Sequence, residues 1–181
     1  MDLVQYTKYE HSRYVSRISG LLAHYAGYDK RETEIVEQAA LYHDIGKCDI
    51  PAALLNKQGA LTPQEYAVVK EHTRLGSEKI ANALQVLTAA YIMAGQHHER
   101  IDGNGYIGLT GNSIHPLARL VAVADVFDAL LAQRSYKDAW DKTRVLNYME
   151  GNSGTHFDAD IVSILLTHAD EFMALYHKHS A

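Results

Sequence analysis

The chain has 181 residues, 47% hydrophobic and 22% charged, with 17 Lys+Arg against 22 Asp+Glu for a formal charge of -5. That size and balance imply one packed globular domain and exclude disordered, collagenous and disulfide-framed classes. The acidic charge disfavours a basic face for a nucleic-acid polymer, while a small nucleotide in one locally positive pocket stays compatible.

The first amphipathic pattern is Tyr14, Ile18, Leu21, Leu22 and Tyr25, a helix stopped by Gly27. A second helix is expected over 31–45, with Ile35, Ala39, Leu41 and Tyr42 turned inward and Gly46 ending it in left-handed backbone. Residues 47–61 hold Pro51 and Gly59 and read as a connection. Thr62-Pro63-Gln64-Glu65 combines a cap, a first-turn proline and a capping-box glutamate. It predicts a helix to about residue 72 and, after a break, another to about 84. Residues 86–99 suggest a further helix, and 100–115, with glycines at 103, 105, 108 and 111, a loop. Pro116 opens a long apolar helix over 117–133, and two more are expected over 138–149 and 159–177. Period-two alternation is missing, so the chain reads as all-α: a single compact bundle of about seven or eight helices over residues 1–181, with no separate sensor or receiver domain.

No apolar run approaches the ~18 residues of a membrane span, and the start lacks the apolar segment of a signal peptide. The expectation is a cytoplasmic domain with no membrane contact. The lone Cys48 excludes an internal disulfide and fits a reducing compartment.

Eleven histidines matter because several stand beside carboxylates at useful spacings. In LYHDIGK, His43 and Asp44 are adjacent at an expected helix end, so their side chains diverge by about 100° and bracket one point. An imidazole beside a carboxylate suits a borderline divalent metal such as Mn, Fe, Co or Zn. The dyad alone is equally a helix end at which His43 meets the dipole and Asp44 is solvated. Three other segments shift the balance. His11 lies on the first helix, and His72 precedes Gly76 by one turn, where backbone can approach a neighbour. His97 and His98 stand together before Glu99. Asp125 sits in the apolar run LARLVAVADVFDALL, where an unpaired charge costs several kcal/mol. Each has a bland reading, a satisfied core histidine or an arginine-paired aspartate, and Asp128 reads as a helix-surface charge. Seven ligand-type side chains on separate segments all need partners together, and a metal centre supplies them.

The series HDIGK with Ile50-Pro51, HTRLG, HHERIDGNGY, ADVFDALLAQRSYK and GTHFD resembles the HD-GYP family of the HD phosphohydrolase superfamily, over about residues 11–160. The resemblance implies an all-α HD-type bundle with two divalent metal ions, iron or manganese first and zinc, cobalt or nickel as alternatives. It implies hydrolysis of cyclic di-GMP to pGpG, with onward cleavage to GMP left open. By motif, Asp44 bridges the ions; His11, His43 and Asp125 complete one site, and His72, His97 and His98 the other. Two cations lower the pKa of a shared water so that hydroxide exists near pH 7. Lys47 matches the lysine that contacts the scissile phosphate, and Arg134 and Lys137 match a segment that holds substrate phosphates. The glycine loop 102–111, including Asp102 and Gly103, reads as a wall of the nucleotide pocket, with a plain surface turn as the alternative.

Three departures stand out. Ile107 replaces the proline of GYP, which predicts a less rigid loop, retained hydrolysis and a weakened docking surface for a GGDEF-type or other signalling partner. Thr7 stands where members with a third metal carry glutamate, and Glu10 is one residue off the needed face, favouring two ions. Ser135 replaces a common proline without evident consequence. Two further readings remain: hydrolysis of another cyclic dinucleotide or nucleotide phosphate ester, and a binding or signalling module without turnover. Oligomeric state is open, and Cys48 beside Lys47 carries no sign of a lowered pKa.

Overall fold

The structure, a computed structural model, describes residues 10–83, 88–132 and 139–177. Nine α-helices occur among the described residues: α1 (Glu10–Tyr25), α2 (Lys30–Ala40), α3 (Ala52–Leu55), α4 (Pro63–Ala83), α5 (Thr88–Gln96), α6 (Pro116–Leu131), α7 (Lys142–Gly151), α8 (Ala159–Thr167) and α9 (Ala169–His177). Two 3-10 turns, Ile45–Asp49 and Gly111–Ser113, join them. The fold is all-α, as the periodicity implied, with no strand among the described residues and one isolated bridge between Ser153 and Phe157.

Local chemistry accounts for most helix ends. Gly27 adopts φ +89° just past α1, a conformation that glycine enters without a Cβ penalty. Asp29 and Glu32 close a reciprocal capping box on α2. Thr62 and Glu65 do the same on α4, the Thr62 N–H donating to Glu65 Oε2 at 2.7 Å and the Glu65 N–H to Thr62 Oγ1 at 3.2 Å. Asp141 and Asp158 cap α7 and α8 through their side chains.

Five expectations about local structure need correction. Helix α2 ends at Ala40, not 45, so His43 and Asp44 lie on the turn beyond it. Ala39 is buried as expected, together with Val36 and Ala40, but Ile35 is exposed. Gly76 does not break α4, which runs unbroken from Pro63 to Ala83. An interior glycine costs only about 1 kcal/mol against alanine, and packing overrides that. The C-terminal segment, expected as one helix, is divided at His168 into α8 and α9.

Gly46 has no left-handed backbone either. Its reason is contact: a Cβ there would lie 1.9 Å from the carbonyl oxygen of His72, and one at Gly76 would lie 3.2 Å from Gly46 N. Two glycines therefore let the 3-10 turn press onto the middle of α4. That close approach brings the turn carrying Asp44 to the helix carrying His72.

Helix α6 is the hub. Nine of its residues are buried, and it packs on α1, α5, α7 and α8. Phe127, Leu120 and Val123 join Ile18 and Leu22 of α1, Met93 of α5, Val145 and Met149 of α7 and Phe172 of α9 in one continuous core. No helix among the described residues is long and apolar enough to cross a membrane.

Candidate metal centre

Five segments deliver seven side chains to one place. His11 stands at the start of α1, His43 and Asp44 on the turn after α2, His72 in mid α4, His97 and His98 just past α5, and Asp125 in mid α6. Their ligand atoms fall into two groups, Asp44 with His72, His97 and His98, and His11 with His43 and Asp125. Within each group all lie within 4.8 Å of one another.

Asp44 joins the two groups. Its Oδ1 is 3.2 Å from His72 Nε2 and 3.5 Å from His97 Nε2. Its Oδ2 is 3.5 Å from His43 Nε2 and 3.8 Å from His11 Nε2, and it accepts a bond from the ammonium of Lys47. Asp125 Oδ1 closes the second group, 3.2 Å from His11 Nε2 and 3.7 Å from His43 Nε2.

The tautomers are set by what lies behind each ring. His43 Nδ1 donates to the Ala40 carbonyl at 2.9 Å, His72 Nδ1 to Val69 at 2.7 Å, and His97 Nδ1 to Met93 at 2.9 Å. With Nδ1 carrying the proton, each Nε2 presents a lone pair to the centre. Those three Nε2 atoms and Asp44 Oδ1 are buried without any hydrogen-bond partner. Leaving one such atom unpaired costs about 1–3 kcal/mol. Four together rival the ~5–15 kcal/mol of a whole domain's stability, so the donor set fits a bound divalent cation. An all-imidazole and carboxylate set, without thiolate, suits borderline first-row ions.

Charge follows the same geometry. Burial by itself raises the Asp44 carboxyl, but Lys47 and His43 outweigh it and hold the group well below the usual carboxylate range. Asp125 behaves likewise: burial raises it, and His11 and His43 bring it well below. Burial pushes His98 well down, with His97 adding to the effect. Burial also lowers His11, yet Asp125 and Asp128 overcome this and raise it to about 10.

The glycine loop is built onto the histidine pair. Glu99, buried, accepts the N–H groups of Ile107 at 2.8 Å, Gly108 at 2.9 Å and Leu109 at 2.7 Å. A Cβ at Gly105 would lie 2.6 Å from Glu99 Cα, so the loop lies against the His98–Arg100 backbone. Tyr106 then packs on His98, ring centroids 4.6 Å apart, and Lys70 Nζ lies 4.8 Å from the centroid of the Tyr106 ring. The looser loop expected from Ile107 is offset by a tie proline could not make, since its N–H is bonded to Glu99.

Asp102 is held by Arg100 through two bonds, at 3.0 and 2.6 Å, and accepts the Asn104 N–H. Gly103, at φ +80°, turns the loop where a Cβ would meet Thr110 at 2.7 Å. Both lie on the loop rather than in either ligand group. Lys47 is on the 3-10 turn, half-exposed beside Asp44. Glu10 is exposed at the first residue of α1. Thr7, Arg134, Ser135 and Lys137 lie outside the described residues. Burial pushes the thiol of Cys48 up, away from a reactive thiolate.

Asp128 corrects the sequence reading. It is 1% exposed, not a surface charge, and its Oδ2 accepts from His11 Nδ1 at 2.5 Å. Its i+3 spacing from Asp125 was the available signal, since that step keeps both on one helix face. Glu99 was noted only as a neighbour of the histidines, and its adjacency to a glycine-rich stretch was the corresponding hint.

The class of protein defined here is an all-helical bundle that gathers seven histidine and aspartate side chains into two groups that could hold metal ions. The HD domain family model matches residues 1–161, and the chain belongs to that family, with the HD-GYP motif set of its relatives. The cyclic di-GMP phosphodiesterase response regulator RpfG of Xanthomonas campestris pv. campestris is 44% identical over 154 residues, 84% of this chain and 41% of that protein. The 3'3'-cGAMP-specific phosphodiesterase 2 of Vibrio cholerae is 39% identical over 156 residues, 85% of this chain and 30% of its own length. The chain thus spans less than half of these curated relatives. Among solved structures, Bd1817, an HDG"Y"P protein from Bdellovibrio bacteriovorus, superposes with a TM-score of 0.73 at 26% identity, over 88% of this chain and 51% of that one.

Proposed function

We propose that this chain hydrolyses a phosphodiester bond of a cyclic dinucleotide, cyclic di-GMP first, at a centre holding two divalent cations. The observation that carries the reading is the set of buried, partnerless lone pairs on His43, His72, His97 and Asp44. His72, His97, His98 and Asp44 would hold one ion and His11, His43, Asp125 and Asp44 the other. When bound, such a pair polarises phosphoryl oxygens and acidifies water. Iron or manganese is our choice of metal, and the cytoplasm our choice of compartment.

The chain's own residues supply the rest. Lys47 stands beside Asp44 with its ammonium half-exposed, and would contact a non-bridging oxygen of the scissile phosphate. Arg134 and Lys137 would hold the remaining phosphate charge. In the reaction a water oxygen bonds to phosphorus and loses a proton, the P–O3' bond breaks, and O3' takes a proton, leaving the linear dinucleotide. A GGDEF-type partner would meet the outer face of the glycine loop, where Ile107 is 65% exposed.

A second reading keeps the chemistry and changes which two bases are recognised. The relative named as specific for 3'3'-cGAMP is nearly as similar as the cyclic di-GMP one. Manganese- or iron-loaded protein, prepared anaerobically, should convert cyclic di-GMP to pGpG. Conversion of 3'3'-cGAMP alone would select the second reading. Tight binding of either nucleotide without product would point to a non-hydrolysing module.

A further inference from the structure

Four histidines of the centre have described backing, and they are not held alike. His43, His72 and His97 are each tied through Nδ1 to a main-chain carbonyl. His11 is tied instead to a carboxylate, Asp128 Oδ2, 117 residues away. The other oxygen of Asp128 accepts the hydroxyl of Tyr176, on α9, at 2.6 Å. Both oxygens are engaged in these bonds and Asp128 belongs to neither ligand group, so it acts on His11 rather than as a ligand.

Tyr176 is itself located by packing. Its ring stacks on Tyr14 of α1, centroids 4.4 Å apart and planes within 7°, and meets Phe127 of α6 edge-on at 6.4 Å. Burial, with Asp128 adding to it, raises the Tyr176 hydroxyl strongly, so it stays protonated and remains a donor. A carboxylate behind an imidazole fixes its orientation and strengthens it as a ligand, and loss of such a partner commonly weakens metal affinity about 10–100-fold.

We propose that Asp128 is a positioning residue for the His11 side of the metal centre and that Tyr176 completes it, so that the seating of α9 sets the occupancy of that side. This rests on the two-cation reading above. The chain Tyr176–Asp128–His11 links the C-terminal helix to one ion and leaves the other, backed by main chain, unaffected. His11 Nε2, 3.2 Å from Asp125 and 3.8 Å from Asp44, is the atom this relay aims.

The test is a Mn(II) titration of metal-free protein, with bound and free ion counted by EPR, on wild type, Asp128→Asn and Tyr176→Phe. Wild type should bind two ions per chain and show the spectrum of a coupled pair. In Asp128→Asn one ion should bind as before and the other about 10–100-fold more weakly, so that at limiting metal a single-ion spectrum replaces the coupled one. Tyr176→Phe should weaken the same ion about five-fold, as for loss of one hydrogen bond. Should Asp128→Asn fail to fold, Tyr176→Phe carries the test alone. Unchanged affinity for both ions overturns the proposal, and so does equal weakening of both, which marks a merely structural role. Wild type binding no manganese at all sinks the two-cation reading itself, a different result from either of these.

Discussion

The two sides of the centre reach similar ligand sets by different means. On the side of His72, His97 and His98, the rings of His72 and His97 are each oriented by a main-chain carbonyl three or four residues back. That backing comes with the helix and survives any side-chain change. On the other side His43 is backed in the same way by the Ala40 carbonyl, but His11 depends on Asp128 and Tyr176, contributed by α6 and α9. The first side is as rigid as the secondary structure, whereas the second is as rigid as the packing of three helices. Ligands of the same chemistry thus acquire different sensitivity to distant parts of the fold.

The largest effect should come from removing what the sides share. Asp44→Ala deletes the carboxylate facing both groups, and we expect turnover to fall by at least about 10³-fold with loss of paired metal binding, measured by product formation and elemental analysis. Two ions retained per chain would refute the bridging role. Next, Gly46→Ala strikes the contact that seats the Asp44 turn against the helix carrying His72. Its Cβ meets the His72 carbonyl oxygen at 1.9 Å, so the turn must move off α4. A cost of about 3 kcal/mol is expected, read as a fall of roughly 6–12 °C in Tm. A Tm within ~2 °C of wild type would show that the turn does not need this approach.

The smallest effect lies outside both sides and gauges acid sensitivity that the centre does not cause. His156 stacks on Phe157 at 4.1 Å, and its Nδ1 is buried without a partner. Burial lowers its pKa from 6.5 to about 4, with Arg100 assisting. The unfolded chain therefore binds the extra proton first, and this contribution is intact above pH 6.5 and lost as the pH falls toward 4. Tm measured across that range should decline less steeply in His156→Gln than in wild type. Parallel profiles would remove His156 from the account.

Much of this was legible in the residues. The period of Ile18, Leu22 and Tyr25, the Thr62–Glu65 box and the glycine at 27 mark helices and their ends through local chemistry. The seven histidines and aspartates stood out because such groups are poorly tolerated in apolar surroundings. What escaped was non-local. Asp128 looked like a surface charge because burial depends on what α1 and α9 place against it. Gly46 looked like a helix cap because its real neighbour, the His72 carbonyl, is 26 residues away. Glu99 gave no sign of holding three N–H groups that a loop folds back to present.

The amino-acid order alone determined the helical period, the caps and which side chains demand polar or metal partners, since those follow from interactions within a few residues. Only the tertiary structure decided that Asp44 faces both ligand groups, that a glycine pair lets its turn touch α4, and that His11 leans on Asp128 and Tyr176. Such relations join atoms far apart in the chain, and close packing, not local propensity, sets them.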